Sequence, residues 1–358
     1  MSLESKNEQL PAATVVREGT ARRLGNPTGS GALTKTLAAL ATIASFAVAP
    51  AHSQVCPLGN SPEGLAFDTE GNLWAAYYDT NTIFVFSPSD YNTVAIDATG
   101  DAMFNSQYGG INGPTRIATA PSTDIYDGPY VFVTNSAGNS ISVLTRSGLY
   151  EGQIQGLQRP LGVAVNGSLD LFVANNQTSN IGAWFAPSII GDPPQNAGYT
   201  SLGVKTTDYN GHLFSAPGAL AINGQNLYVA TNDGTVHAYN EAEFLLSYEW
   251  IFPEGMAEIA TYADGSSGGP TGIAFDNEGN VYVSYYYSSD VVKYSPSGTK
   301  LMPPITAAVS QPEGIAVEPS TGYVYVANTG THNITMYNSE GVYLGVFQPS
   351  CPTGGPFE

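Results

Sequence analysis

The stretch of residues 311–337, QPEGIAVEPSTGYVYVANTGTHNITMY, decides the fold. It opens on a Pro-x-Gly unit, and three runs of alternating apolar residues follow, separated by short stretches rich in Gly, Asn, Ser and Thr. Alternation in Val, Ile and Tyr between such turn residues is typical of short antiparallel strands. This stretch therefore predicts three strands joined by tight turns.

The same phrase recurs along the chain, which points to a repeat architecture. Its copies are PEGLAFD at Pro62, PTRIATA at Pro114, PLGVAVN at Pro160, PGALAIN at Pro217, PTGIAFD at Pro270 and PEGIAVE at Pro312. Successive copies start 42 to 57 residues apart, and a weaker fourth run, YLGVF, follows the last copy. One four-stranded antiparallel sheet per copy accounts for this spacing. The sequence therefore predicts an all-β fold, a six-bladed β-propeller.

The copies at Pro270 and Pro312 resemble the NHL repeat. That motif reads approximately P-x-G-hydrophobic-A-V-D, then G-N-V-Y-V-A-D, then N-H-R-I-x-V-F, and the resemblance covers about residues 60 to 348. It implies a six-bladed propeller. Where the motif has Asp after the second strand, this chain has Asn135, Asn175 and Asn328. More distantly, the repeats are similar to gluconolactonase and regucalcin-type propellers, which hold a divalent cation in the axial channel.

The amino-acid composition limits the kinds of molecule that this chain can bind. The 358 residues include 30 Asp and Glu against 11 Lys and Arg, a formal charge of −19, and 42% are hydrophobic. Such a chain can bury a large core, but it repels phosphate, so nucleic acid is excluded as a partner. The acidic surface is either solvated or attracts calcium or a cationic partner.

The N-terminal residues have the pattern of a secretory signal. Arg17, Arg22, Arg23 and Lys35 precede an apolar run, residues 37–48, which small residues follow. This run of 12 residues is too short to span a bilayer, so no membrane span is expected. We therefore expect residues 1–53 to be a signal peptide with a long basic extension. Residues 54–358 are then a secreted or periplasmic propeller, expected to be a monomer.

The two cysteines, Cys56 and Cys351, flank the repeat array. In an exported protein, cysteines so placed are most simply a disulfide that joins the first blade to the last and closes the ring. The alternative is a pair of unrelated free thiols.

The residue after each repeat Pro is a candidate for the wall of the axial channel, because it starts the innermost strand. These positions are Glu63, Thr115, Leu161, Gly218, Thr271 and Glu313. Since the first and sixth blades are neighbours in a closed ring, Glu63 and Glu313 are expected to come close together. Two nearby carboxylates share a proton or hold a cation such as calcium, and they are the candidate catalytic and metal-binding residues. The alternative is two hydrated surface carboxylates.

Two further sets of residues are candidates for ligand binding. Asn135, Asn175 and Asn328 could supply amide oxygens if their strand ends reach the channel mouth. Two tyrosine pairs follow equivalent strands, and alternation sends neighbours to opposite faces. The pairs are Tyr77 with Tyr78 and Tyr285 with Tyr286, and Tyr287 extends the second pair to a cluster of three. At least one tyrosine of each cluster is therefore expected in the core, and the remainder could form an aromatic rim.

These observations leave two functions open. The first is a secreted binding or scaffold propeller that recognises a protein, peptide or glycan through one face of the disc. The second is a metal-assisted hydrolase or lyase, similar to lactonases and esterases, that acts in the axial channel with Glu63 and Glu313. The scattered His212, His237 and His332 do not form a zinc pattern.

Overall fold

The structure of the protein is a computed structural model. The structure describes residues 61–86, 93–94, 110–120, 130–145, 148, 150–185, 200–206, 214–241, 258–263 and 269–348. All of them lie in the unit His52–Glu358.

The described residues form six antiparallel sheets, one for each repeat. The first sheet holds β1 (Pro62–Phe67), β2 (Leu73–Tyr77), β3 (Thr82–Phe86) and β4 (Thr93–Val94). The second holds β5 (Pro114–Thr119), β6 (Tyr130–Asn135), β7 (Ser140–Thr145) and β8 (Tyr150–Gln155), and the third holds β9 (Pro160–Val165), β10 (Leu171–Asn175), β11 (Asn180–Phe185) and β12 (Thr200–Lys205). The fourth holds β13 (Ala219–Asn223), β14 (Asn226–Ala230), β15 (Thr235–Asn240) and β16 (Glu258–Ala263). The fifth holds β17 (Pro270–Phe275), β18 (Val281–Tyr285) and β19 (Asp290–Tyr294), and the sixth holds β20 (Pro312–Val317), β21 (Val324–Asn328), β22 (Asn333–Tyr337) and β23 (Tyr343–Val346).

The fifth sheet differs from the other five in having three strands. Single bridges from Val291 to Ile305 and from Tyr294 to Lys300 lie where a fourth strand would pair. Pro303 and Pro304 fall between the two bridging residues. Because proline has no backbone N–H to donate, this pair interrupts the ladder.

Short turns join the first and second strands, and their side chains explain their shape. Asp68 accepts hydrogen bonds from the backbone N–H groups of Glu70 and Asn72, both at 2.9 Å. Asp276 does the same for Glu278 and Asn280, at 3.0 and 2.9 Å. The shared sequence D-x-E-G-N therefore builds the same turn in the first and fifth blades.

Six hydrophobic clusters hold the sheets together, and each cluster lies between two neighbouring sheets. One of them joins the sixth sheet to the first, where Tyr325 packs edge-on against Phe67 and Phe347 packs against Phe86. The ring is therefore closed by packing. The predicted all-β propeller with six blades is confirmed.

Glycine in the third position of the repeat allows the inner strands to approach each other. A Cβ atom on Gly64 would lie 2.7 Å from the carbonyl oxygen of Thr115, and one on Gly272 would lie 2.6 Å from that of Glu313. A Cβ atom on Gly314 would overlap the carbonyl oxygen of Glu63. Each of these contacts joins consecutive blades, so a larger residue at these positions would push the ring apart.

The predicted disulfide between Cys56 and Cys351 lies outside the described residues and stays a prediction. Within the residues that are described, no helix is long and apolar enough to cross a membrane.

Candidate functional site

One end of the propeller carries the turns between the second and third strands of each blade together with the residues that lead into the inner strands. We call this end the upper face. Backbone hydrogen bonds join the two parts: the N–H of Tyr78 donates to Ser61, that of Asn176 to Arg159, and that of Thr329 to Gln311. Because these bonds recur around the ring, the upper face is a continuous surface around the mouth of the axial channel.

The residue after the repeat Pro sits at a β-bulge in several blades. The register between the first two strands shifts between Pro62 and Gly64 and between Pro270 and Gly272, so Glu63 and Thr271 are the extra residues. A bulge re-aims side chains, and bulges often lie beside functional sites. The two Thr side chains of this position, however, turn to the next blade: Thr271 donates to the carbonyl of Pro312 at 2.7 Å, and Thr115 to that of Leu161 at 3.3 Å.

Arg116 extends across the axial channel from the second blade. Its Nε and Nη2 donate to the carbonyl oxygen of Thr271, at 3.1 and 2.7 Å, and its Nη1 donates to the carbonyl oxygens of Glu63 and Thr115, at 3.2 and 2.8 Å. Its Nη2 also donates to the Glu313 carboxylate at 2.6 Å. The five N–H bonds of the guanidinium are thus all used, and one side chain ties the first, second, fifth and sixth blades together.

Glu63 and Glu313 do come together at the axial channel, on either side of the contact between the first and sixth blades. Burial raises the pKa of Glu63 to about 8, the negative charge of Glu313 adds to this effect, and Arg116 opposes it. Glu63 therefore holds its proton at neutral pH, whereas the Glu313 carboxylate forms an ion pair with Arg116. Asp79 and Arg159, both exposed on the upper face, also act on Glu63, which places Glu63 near the mouth.

The oxygens around the channel do not fit a divalent cation well. The Arg116 guanidinium already takes the Glu313 carboxylate and the carbonyl oxygens of Glu63 and Thr271. In the described part of the chain, no group of three or more His, Cys, Asp or Glu side chains is placed to hold a metal ion. The positive charge in the channel is therefore that of the Arg116 guanidinium, which is bonded to these oxygens.

The three asparagines brace the blades and are buried. The side-chain oxygens of Asn135, Asn175 and Asn328 accept the backbone N–H groups of Asn112, Gln158 and Ser310, at 3.0, 3.2 and 2.9 Å. Each of these donors lies two residues before the repeat Pro. The asparagines thus fix the chain that leads into the inner strand, and their oxygens are engaged.

The tyrosine pairs divide as alternation predicts. Tyr77 and Tyr285 are buried, at 1% and 0% exposure. Tyr77 packs edge-on against Phe84, and burial, with a smaller effect of Asp79, raises its pKa. The Tyr285 hydroxyl is bonded to that of Tyr294 at 2.9 Å. These two residues belong to the core.

The remaining tyrosines lie on the upper face. Tyr78 is 38% exposed and Tyr287 is 72% exposed, and Tyr286 is half-buried with its ring edge-on to that of Tyr287 at 5.2 Å. Tyr78 belongs to the first blade and the other two to the fifth, so they flank the sixth blade on both sides. We call these three residues the tyrosine rim.

Sequence reasoning missed Arg116. The signal for Arg116 was present, since the copy PTRIATA has Arg where the other strong copies have Gly. The Arg116 side chain extends from this position into the axial channel and reaches the fifth and sixth blades.

The fold and the site define a six-bladed propeller whose channel is crossed by an arginine and whose upper face carries exposed tyrosines. No protein-family model matches the chain, and no curated protein matches it, so the NHL resemblance stays a prediction.

Solved structures share the fold. A streptogramin B lyase is 13% identical with a TM-score of 0.53, over 82% of this chain and 85% of its own. A catalytically inactive His-to-Ala variant of virginiamycin B lyase from Staphylococcus aureus, solved with quinupristin, is 15% identical with a TM-score of 0.53, over 82% and 86%. The Cps50 (Swd1) β-propeller domain of Myceliophteria thermophila is 10% identical with a TM-score of 0.51, over 77% and 82%. At such identities the likeness shows the fold alone.

Proposed function

We propose that this chain is a binding propeller that recognises its ligand on the upper face. The observation that carries the proposal is the arginine across the axial channel. Arg116 donates hydrogen bonds to residues of four blades, so its side chain is part of the structure of the ring. We therefore assign ligand binding to the surface around the mouth of the channel. On the sequence pattern of residues 1–53, we place this binding outside the cytoplasm.

The tyrosine rim supports the proposal. Large amphipathic rings provide contact area at low cost in conformational entropy, and exposed tyrosines are enriched at binding surfaces. Tyr287, at 72% exposure, is the most exposed aromatic side chain among the described residues. Its Tyr286 neighbour holds it edge-on, which orders the pair before a ligand arrives.

The test compares the variant Tyr286→Ala/Tyr287→Ala with Tyr323→Ala. Tyr323 follows the turn between β20 and β21, at the opposite end of the propeller, and is 38% exposed. Panels of immobilised peptides and glycans identify the probe that binds wild type most tightly. We expect the double variant to lose about tenfold or more in affinity for that probe and the control to stay within about twofold. Equal binding by both variants would contradict the proposal.

A second candidate is a hydrolase or lyase that acts at the channel mouth. It is favoured by Glu63, because a half-buried carboxyl group with a pKa of about 8 keeps a proton that it can donate as a general acid. The shared fold with a streptogramin B lyase is compatible with it. Turnover of a lactone or ester by wild type that is abolished in Glu63→Gln, with or without added calcium, would favour this candidate over the first.

A further inference from the structure

The exposed side chains that surround the tyrosine rim are mainly amides and hydroxyls. On the upper face, Asn112, Gln158, Gln177, Thr178, Asn232 and Ser288 are exposed. Amide side chains offer both donors and acceptors, and hydroxyls offer either, so such a surface can match a ligand that presents many hydroxyl groups.

Among the residues that the structure describes, exposed charge is sparse on this face, although the chain carries −19 overall. Among the described residues, the exposed acidic and basic side chains there are those of Asp79, Arg159, Asp233 and His332. Asp233 accepts hydrogen bonds from the hydroxyls of two neighbouring threonines in its own turn. Nothing in this arrangement clusters charge of one sign, as a strongly cationic or anionic ligand would require.

The opposite end has a different composition. Its turns expose Glu70, Glu278 and Glu340. The acidic character of the propeller is thus unevenly distributed between its two ends.

The side chains at the axial channel also carry little net charge. Arg116 and Glu313 form an ion pair at 2.6 Å, with side chains only 12% and 22% exposed. Glu63 beside them is protonated at neutral pH, because its pKa is about 8. A ligand that reaches the channel mouth therefore meets polar groups without a net charge.

The tyrosine rim spans more than one blade. Tyr78 lies on one side of the sixth blade and Tyr286 and Tyr287 on the other, with exposed Thr331 and Gln311 of that blade on the same face between them. A ligand that contacts both ends of the rim must therefore cross the sixth blade, as an extended ligand can.

We propose that the upper face binds a neutral oligosaccharide, whose sugar rings stack on the tyrosine rim and whose hydroxyl groups bond the surrounding amides and hydroxyls. This inference rests on the function proposed above. The apolar face of a pyranose ring complements an exposed aromatic ring, and its hydroxyl groups are paired donors and acceptors. An uncharged ligand also needs no counter-charge on the protein.

The experiment presents the full chain with two panels. The first contains neutral hexaoses of glucose, mannose, galactose, xylose and N-acetylglucosamine together with the acidic polysaccharides polygalacturonate and heparin. The second contains cationic, acidic and proline-rich peptides. Affinities are measured by calorimetry for wild type, Tyr287→Ala, Tyr78→Ala and the control Tyr323→Ala, and thermal melting verifies that each variant is folded.

We expect binding to a neutral hexaose that weakens about tenfold in Tyr287→Ala and Tyr78→Ala and stays within about twofold in Tyr323→Ala. The affinity should also change less than about twofold between about 50 mM and about 500 mM NaCl, because no charge pair is screened. Preference for polygalacturonate or heparin, or a steep salt dependence, would overturn the inference.

The remaining outcomes separate this inference from the proposed function. Peptide binding that depends on the tyrosine rim, without glycan binding, would refute the oligosaccharide and leave the binding propeller standing. If no probe in either panel depends on the rim, both proposals fall.

Discussion

Replacement of Glu63 by glutamine tests the electrostatics of the channel. Glu63 is half-buried beside Glu313 and Arg116, and its pKa is raised from 4.5 to about 8 by burial first and by Glu313 second. The folded protein therefore keeps a proton that the unfolded chain has released. A glutamine side chain at this position has nearly the shape of the protonated acid and does not titrate.

The size of the effect follows from linkage. Between pH 4.5 and about 8, the folded state binds one proton more than the unfolded state, so stability falls by about 1.4 kcal/mol for each pH unit. Over the whole interval wild type loses about 5 kcal/mol from this group, and above it the loss is constant. At pH 5, wild type and Glu63→Gln should differ by less than about 1 kcal/mol, whereas at pH 9 the variant should be more stable by up to about 5 kcal/mol.

The assay is urea unfolding of wild type, Glu63→Gln and Glu340→Gln at pH values from about 5 to about 9. Glu340 is exposed in a turn of the sixth blade, so its replacement should leave the difference from wild type flat across this range. A flat difference for Glu63→Gln as well, or a variant less stable than wild type at pH 9, would refute the reasoning.

Other substitutions probe the ring. Arg116→Met should lower the free energy of unfolding by about 3 kcal/mol because it leaves the Glu313 carboxylate unpaired. A double-mutant cycle with Glu313→Gln, measured by urea unfolding, should give a coupling of about 1–3 kcal/mol, and a coupling near zero would contradict the ion pair. Gly314→Ala should lower the free energy of unfolding by about 1–3 kcal/mol because its Cβ meets the inner strand of the first blade. The control Gly167→Ala has open space around it and should be nearly neutral, so equal effects of the two variants in thermal melting would contradict the close packing. Asn328→Ala should cost about 2 kcal/mol because the Ser310 N–H loses its acceptor, and an unchanged melting temperature would show that this bond is dispensable.

The blade count could be predicted from the sequence because every repeat has a proline followed by alternating apolar runs. These runs, the Pro-x-Gly opening of four copies and the D-x-E-G-N turns of the first and fifth blades act over a few residues, so their pattern is visible without a structure. The same locality explains the burial of Tyr77 and Tyr285, since alternation alone sends one tyrosine of each pair into the core.

The contents of the channel could not be predicted in this way. The closeness of Glu63 and Glu313 followed from ring closure, but the partner of Glu313 comes from a different blade, 197 residues away in sequence. The asparagines looked like candidate ligands because their position is recurrent. Their oxygens instead accept N–H groups of the chain leading into each inner strand, a need created by burial and visible only in three dimensions.

A crystal structure of the full chain grown with about 10 mM calcium chloride tests the central claim most directly. The account predicts that the Arg116 guanidinium lies across the axial channel, bonded to the Glu313 carboxylate and the Thr271 carbonyl, with no calcium beside them. A calcium ion coordinated by Glu63 and Glu313, with Arg116 displaced from the channel, would contradict it and restore the metal-assisted enzyme.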